Sequence, residues 1–275
     1  MNHPLFEIVR TSTGAISIRN KIVNEIMHNP VGPWIESNAL YIDQSGLRAR
    51  LLEGTDEELV LFDVGLGAAA NALAVLHCVA QLQQLHQTQF DLGLPKPRKL
   101  RLISFERDLS LLEFALANST QFEQFRGYET AIAELLATGR WANDFVTWEL
   151  RHGDFLSLIA NETSRAEIVF FDPYSPQVNR EMWTVSCFKL LKEKCREQKD
   201  GGAILYTYSQ ATPIRAALLV AGFYVGSGDA TGLKEETTQA STGRNGLSRL
   251  LSERWFQRWA KSHTPYPLGT EEHQR

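Results

Sequence analysis

Four carboxylates stand where apolar runs of this chain give out, and such positions can hold a polar ligand. Asp63 lies at the end of the run 58–64, just ahead of Gly65-Leu66-Gly67; Glu106 follows 100–105, Asp154 follows 146–150, and Asp172 follows 167–171. Short apolar runs that alternate with helical patterns read as strands of a parallel sheet, whose carboxyl edge is where ligands bind. A glycine pair after a strand lets backbone approach a ligand closely and exposes the N–H groups of the next helix. The spacing Gly65-x-Gly67-x-Ala69 is shorter than the dinucleotide pattern Gly-x-Gly-x-x-Gly, which favours S-adenosylmethionine over NAD. Asp63 is then an acid able to reach that cofactor directly or through water.

The other acids extend the same pocket. Glu106, at the second strand end, can accept from both ribose hydroxyls; the plain alternative is a surface carboxylate. Asp154, in His152-Gly153-Asp154-Phe155, can accept from the adenine amino group or cap a helix, and the two roles are compatible. Phe155 can stack on or pack beside the base. Asp172 opens Asp172-Pro173-Tyr174-Ser175-Pro176, where the proline fixes its own φ and holds Asp172 extended. Methyl transfer to an amine needs a neutral nitrogen lone pair, so an acceptor beside the nitrogen can orient it and take its proton. Asp172 is expected to do this, with Tyr174 as platform or hydrogen-bond partner; a proline-rich turn with a capping Asp is the alternative.

Other chemistries find less support. No His-Glu-x-x-His, Cys-x-x-Cys, Gly-x-x-x-x-Gly-Lys or Gly-x-Ser-x-Gly pattern occurs, so no metal site is expected, and His28 and His152 read as structural. Cys78, Cys187 and Cys195 lack metal spacing and read as reduced thiols. With 43% hydrophobic and 22% charged residues, and no apolar run of the roughly eighteen needed to span a bilayer, a soluble protein is expected. The first residues show no leader pattern, which points to the cytoplasm.

These residues need a frame to hold them. Strands are expected at 58–64, 100–105, 146–150, 167–171 and 203–208, with helices at 69–85, 108–117, 129–136, 180–196 and 213–221, Asn179 capping the fourth. An antiparallel pair at 223–226 and 235–238 would complete an α/β, Rossmann-like, seven-stranded class I methyltransferase sheet. Short strands at 16–18 and 39–42 suggest a small N-terminal β extension. The expected division is 1–50 for that extension, 51–243 for the methyltransferase domain and 244–275 for a basic amphipathic helix and tail. In the last, Leu247, Leu250, Leu251, Trp255 and Trp259 recur at helical spacing beside Arg244, Arg249, Arg254, Arg258 and Lys261. The net charge of -4 does not advertise nucleic-acid binding, and this stretch is the local exception.

The chain resembles the methyltransferase domain of the MnmC-type tRNA wobble-uridine enzymes. Gly65-Leu66-Gly67-Ala68-Ala69-Ala70-Asn71 is similar to that family's Gly-x-Gly-Thr-Gly-Leu-Asn, with Ala69 in place of the third glycine. Asp172-Pro173-Tyr174-Ser175-Pro176, with Asn179-x-Glu181-Met182-Trp183-Thr184, resembles its Asp-Gly-Phe-Ala-Pro and Asn-Pro-Asp/Glu-Met-Trp-Thr. Glu36-Ser37 to Ser45-Gly46-Leu47 is similar to its N-terminal extension. The resemblance implies S-adenosylmethionine as cofactor, with Asn71 joining Asp63, Gly65, Gly67, Glu106, Asp154 and Phe155 in holding it. It implies Asp172 and Tyr174 as catalytic, tRNA as substrate at the aminomethyl nitrogen of its wobble uridine, and a separate flavin oxidase acting upstream. Asp-Pro-Tyr also resembles the Asp-Pro-Pro-Tyr of amino-directed DNA methyltransferases. A small-molecule or protein amine as acceptor, or a cofactor-binding protein without catalysis, are the rival readings.

Overall fold

The computed structural model describes residues 4–27, 31–88, 95–230, 236–262 and 267–269. Strands β1 (Phe6–Arg10), β2 (Ile16–Asn20) and β3 (Glu25–Ile26) form an antiparallel sheet of their own. Helix α1 (Pro33–Ser37) starts with proline in its first turn, where the missing N–H costs nothing, and runs into a π-helical stretch Asn38–Asp43. The strand expected at 39–42 is therefore a helix. Leu40, Tyr41 and Ile42 are all buried, and a continuous apolar run carries no period that separates strand from helix. Helix α2 (Leu47–Leu51) completes the N-terminal part.

The remaining elements are β4 (Leu59–Val64), α3 (Ala70–Thr88), β5 (Leu100–Glu106), α4 (Ser110–Ala117), α5 (Glu129–Thr138), β6 (Arg140–Ala142), β7 (Val146–His152), α6 (Phe155–Asn161), β8 (Ile168–Phe171), α7 (Val185–Glu193), β9 (Ile204–Thr207), α8 (Thr212–Val220), β10 (Tyr224–Gly228), β11 (Thr237–Ser241) and α9 (Glu253–Trp259). They build a mixed eight-stranded sheet in the order β10-β11-β9-β8-β4-β5-β7-β6. Strands β9, β8, β4, β5 and β7 are parallel, and β11 and β10 close one edge antiparallel. That is the expected seven-stranded set; β6, a three-residue antiparallel strand beside β7, makes the eighth.

Alternation along the strands divides the core. Leu59, Leu61, Leu100, Leu102, Ile168 and Phe170 face one layer with α3, α4 and α5. Phe62, Val64, Ile103, Phe105, Val169 and Phe171 face the other with α6, α7, α8 and α9. Strands β4, β8 and β9 are buried on both faces, which explains their apolar runs, whereas β7 alternates buried and half-buried residues. Sequence order reverses at the central strand: β4 leads through α3 to β5 on one side, while its other neighbour is the later β8. The crevice above β4 and β8 is the topological switch point, where an open sheet of this kind receives its ligand.

Two expected helices differ. The stretch 180–196 is a 3-10 turn, Arg180–Trp183, followed by α7, because Thr184 is extended and its hydroxyl accepts the Cys187 N–H. Thr184 caps α7, and Asn179 stands at the N-cap position of the 3-10 turn without a side-chain capping bond. The C-terminal helix is confined to Glu253–Trp259: the Leu251 N–H donates to Val225 O and the Ser227 N–H to Arg249 O, so 249–251 lies along the edge strand β10. His28, the loop 92–94, Glu235 and His263 lie outside the described residues.

Candidate active site

The turn after β4 is fixed from two directions. The Gly65 and Leu66 N–H groups donate to Phe105 O, and the Gly67 N–H donates to Glu106 Oε2 at 3.0 Å. Gly65 (φ 90°) and Gly67 (φ 53°) both adopt left-handed backbone. A β-carbon on Gly65 would lie 2.6 Å from the Asp172 carbonyl oxygen, so this glycine lets the β4 and β8 ends meet. Ala69, in the third glycine's place, keeps a positive φ of 60° and is fully buried; the surrounding helix start holds it there at a cost of about 1 kcal/mol.

The acids surround this turn. Glu106 Oε1 accepts from the Arg107 and Asp108 N–H groups, so its carboxylate is oriented before any ligand arrives. Asp154 caps α6 by accepting from the Ser157 N–H at 3.0 Å, and it also faces the cavity. Phe155 is buried with its ring edge-on to Phe105 at 5.2 Å. Asn71 Nδ2 donates to Asp172 Oδ2 at 2.7 Å, and Asn71 Oδ1 accepts from Ser37 Oγ at 2.6 Å. Asn71 thus connects α1, α3 and the end of β8, so it positions the carboxylate besides lining the site. The Tyr174 hydroxyl accepts from Asn20 Nδ2, and the Ser175 hydroxyl donates to Glu25, so β2 and β3 brace the segment from above. The Tyr208 hydroxyl donates to Pro173 O from below.

Gly65, Gly67, Asn71, Glu106, Asp154, Phe155, Asp172 and Tyr174 all line one cavity of about 450 Å³. Asp63 is not among the cavity-lining residues. It is fully buried behind the turn, where its Oδ2 accepts from Ser104 Oγ, which in turn accepts from Trp148 Nε1. Its Oδ1 has no partner among the described residues. Burial pushes its pKa up to about 7 against the opposing Ser104 bond, and the charges of Asp172 and Glu106 add to the rise.

Glu25, Glu36 and Tyr208 also line the cavity and were given no role from sequence. Glu36 lies in a helical turn separated from the sheet strands by a loop, so no strand-end rule marks it. Its one signal in the sequence was its place in the N-terminal segment that resembles the MnmC-type family. Arg107 is the one basic residue among the described lining residues, and it faces Glu181 at 3.7 Å on the exposed rim.

A family model described as S-adenosyl-L-methionine-dependent methyltransferase matches residues 124–243. Over that stretch, less than half of its length, the chain is similar to this family. The crystal structure of MnmC2 from Aquifex aeolicus superimposes with a TM-score of 0.72 at 23% identity, covering 98% of this chain and 80% of that one. The bifunctional protein MnmC of tRNA 5-methylaminomethyl-2-thiouridine biosynthesis from Aeromonas salmonicida is 27% identical over 68% of this chain and 28% of its own length. An uncharacterized protein of Methanocaldococcus jannaschii is 23% identical over 90% of this chain and 62% of its own. The chain thus spans less than two thirds of these two relatives.

The cavity fits S-adenosylmethionine. The backbone of Gly65 and Gly67 lines it directly, Glu106 stands ready for paired hydroxyls, and six carboxylates against one arginine suit a ligand with a cationic sulfur. Among the described residues no helix is long and apolar enough to cross a membrane.

Proposed function

We propose that this protein transfers methyl from S-adenosylmethionine to an amine nitrogen, and that the amine is the aminomethyl group of a modified tRNA wobble uridine. The observation that carries the reading is the Asp172 carboxylate, held by Asn71 at the switch point, in the same cavity as the glycine turn. Glu106 takes the ribose hydroxyls, Asp154 the adenine amino group, and Phe155 borders the base. Bound there, the cofactor supplies a methyl carbon activated by positive sulfur. Asp172 accepts an N–H of the amine, aligns its lone pair and receives its proton; such a positioned base contributes about 10²- to 10⁴-fold. Tyr174 stays a neutral phenol because burial raises its pKa more than the Asn20 bond lowers it. With its oxygen accepting from Asn20, its own proton remains to be donated.

The tRNA half of the proposal leans on the MnmC relatives, and it places the protein in the cytoplasm behind a separate flavin oxidase that frees the aminomethyl group. A second reading, methylation of a small-molecule or protein amine, is favoured by the acidity of the cavity. Incubation with methyl-labelled cofactor and tRNA from cells lacking the modification separates the two. Label in the wobble nucleoside supports the first, and label only in small molecules or protein supports the second. A cofactor-binding protein without catalysis would bind the cofactor and label nothing.

A further inference from the structure

We propose that the mouth of the cavity is a docking lip for single-stranded RNA: Ile22 and Val178 pack against unstacked bases beside the acceptor nucleotide, while Arg107 and Arg180 meet the phosphates. The inference deepens the tRNA reading and rests on it. Ile22 is 73% exposed, Ile26 41% and Val178 39%, although all three belong to the segments that close over the cavity. The bonds beside them fix their place. The Ile22 N–H donates to Asn20 Oδ1, and Asn20 Nδ2 donates to the Tyr174 hydroxyl on the cavity wall. Ile26 lines the cavity itself. Across from it, the Val178 N–H donates to the carbonyl of Ser175, the residue whose hydroxyl donates to Glu25. Apolar side chains thus flank, from both sides, the contact that ties β2 and β3 to the segment after Asp172.

Cations are interleaved with them. Lys21 precedes Ile22, Arg180 lies two residues after Val178, and both are exposed. Arg107 lines the cavity from the end of β5, and its pairing with Glu181 is long, 3.7 Å between side chains 67% and 48% exposed. A pair so solvated contributes little, so the guanidinium turns to a phosphate at small cost. Charge then decides the partner. Six carboxylates in the cavity repel a polyanion, while cations at its rim hold the phosphates outside and let one base enter.

The same geometry calls for a single strand. In a duplex the base faces are covered by their neighbours, and a substituent on a paired base stays at the groove, away from Asp172. A base that leaves the stack solves both problems: it carries its substituent to the carboxylate, and it uncovers the faces of the bases next to it. Ile22 and Val178 offer those faces an apolar surface in place of the lost stacking.

The test measures fluorescence anisotropy of a labelled, unmodified anticodon stem-loop and of a fully paired duplex of the same length, each with protein and S-adenosylhomocysteine, over a range of salt. Wild type is compared with Ile22→Ser/Val178→Ser and with Arg107→Gln/Arg180→Gln. The duplex is expected to bind at least about tenfold more weakly than the loop, and the apolar double variant to lose about tenfold for the loop. Calorimetry should show the cofactor affinity of that variant unchanged. The arginine double variant should flatten the slope of log Kd against log salt by about one. Equal binding of loop and duplex, no loop binding by the wild type, wild-type affinity in the apolar variant, or a salt slope that ignores both arginines overturns the inference. Methyl labelling is read separately. Label in the wobble nucleoside with loop affinity unchanged in the variants leaves the proposed function standing without the lip. Loop binding that the variants weaken, with no label in tRNA, keeps the lip and removes the wobble amine as acceptor.

Discussion

In the proposed reading Asp172 is the base, and Asn71 holds its carboxylate. Replacing Asn71 with Ala removes both the bond to Asp172 and the bond to Ser37, leaving a buried hydroxyl and a carboxylate oxygen each short of a partner. Asn71→Ala is expected to lower kcat by about tenfold or more while the cofactor dissociation constant stays within a few-fold. A cofactor affinity that collapses with kcat held constant would instead make Asn71 a cofactor ligand. Asp63 makes a separate prediction about stability. Its pKa in the fold, about 7, lies above the usual carboxylate range, so the folded chain keeps a proton that the unfolded chain releases. The raised value makes stability fall as pH rises from about 4 through about 7 and level off above, by an amount on the order of a few kcal/mol. Asp63→Asn removes that loss while its amide oxygen still accepts from Ser104. Urea midpoints should therefore favour the variant over the wild type by more at pH 8 than at pH 5; an identical gap at the two pH values would contradict the buried, proton-holding Asp63.

The N-terminal sheet is the element that turns an open crevice into a cavity. Asn20 on β2 and Glu25 on β3 grip Tyr174 and Ser175, the segment that follows Asp172. Asn20→Ala should raise the acceptor KM several-fold and leave cofactor binding alone, because it frees Tyr174 without touching the glycine turn; steady-state kinetics beside calorimetry reads both. A variant with unchanged acceptor KM would reduce this sheet to a structural cover. The parallel strands were legible in the sequence because β4, β8 and β9, buried on both faces, leave apolar runs that polar strand ends delimit, while β7 keeps a clean alternation. The π-helical stretch Asn38–Asp43 was not, since Leu40-Tyr41-Ile42 carries no period. The C-terminal helix was overextended because its leucines keep helical spacing while Leu251 is spent on pairing with β10. The strand-end rule named Glu106, Asp154 and Asp172, which line the cavity, and Asp63, which is buried behind it. Glu36 escaped because its approach to the site depends on how a helix outside the sheet packs.

At the scale of the whole molecule, the net charge of -4 and the acid-lined cavity oppose a polyanion, while the proposed tRNA substrate is one. The two agree if the cavity takes only the cationic aminomethyl tip of a base and other surfaces meet the phosphates. The basic residues Arg254 and Arg258 on α9 are exposed, with Trp255 turned into the core. The central claim is methylation of an amine on the tRNA wobble uridine with Asp172 as its base. The most direct measurement is a nucleoside digest of tRNA, from cells lacking this modification, after incubation with methyl-labelled S-adenosylmethionine and either wild-type protein or Asp172→Asn. The account predicts label in the wobble nucleoside with the wild type and a loss of about a hundredfold or more in rate with the variant at unchanged cofactor affinity. No label in tRNA, or equal rates for the two proteins, would contradict it.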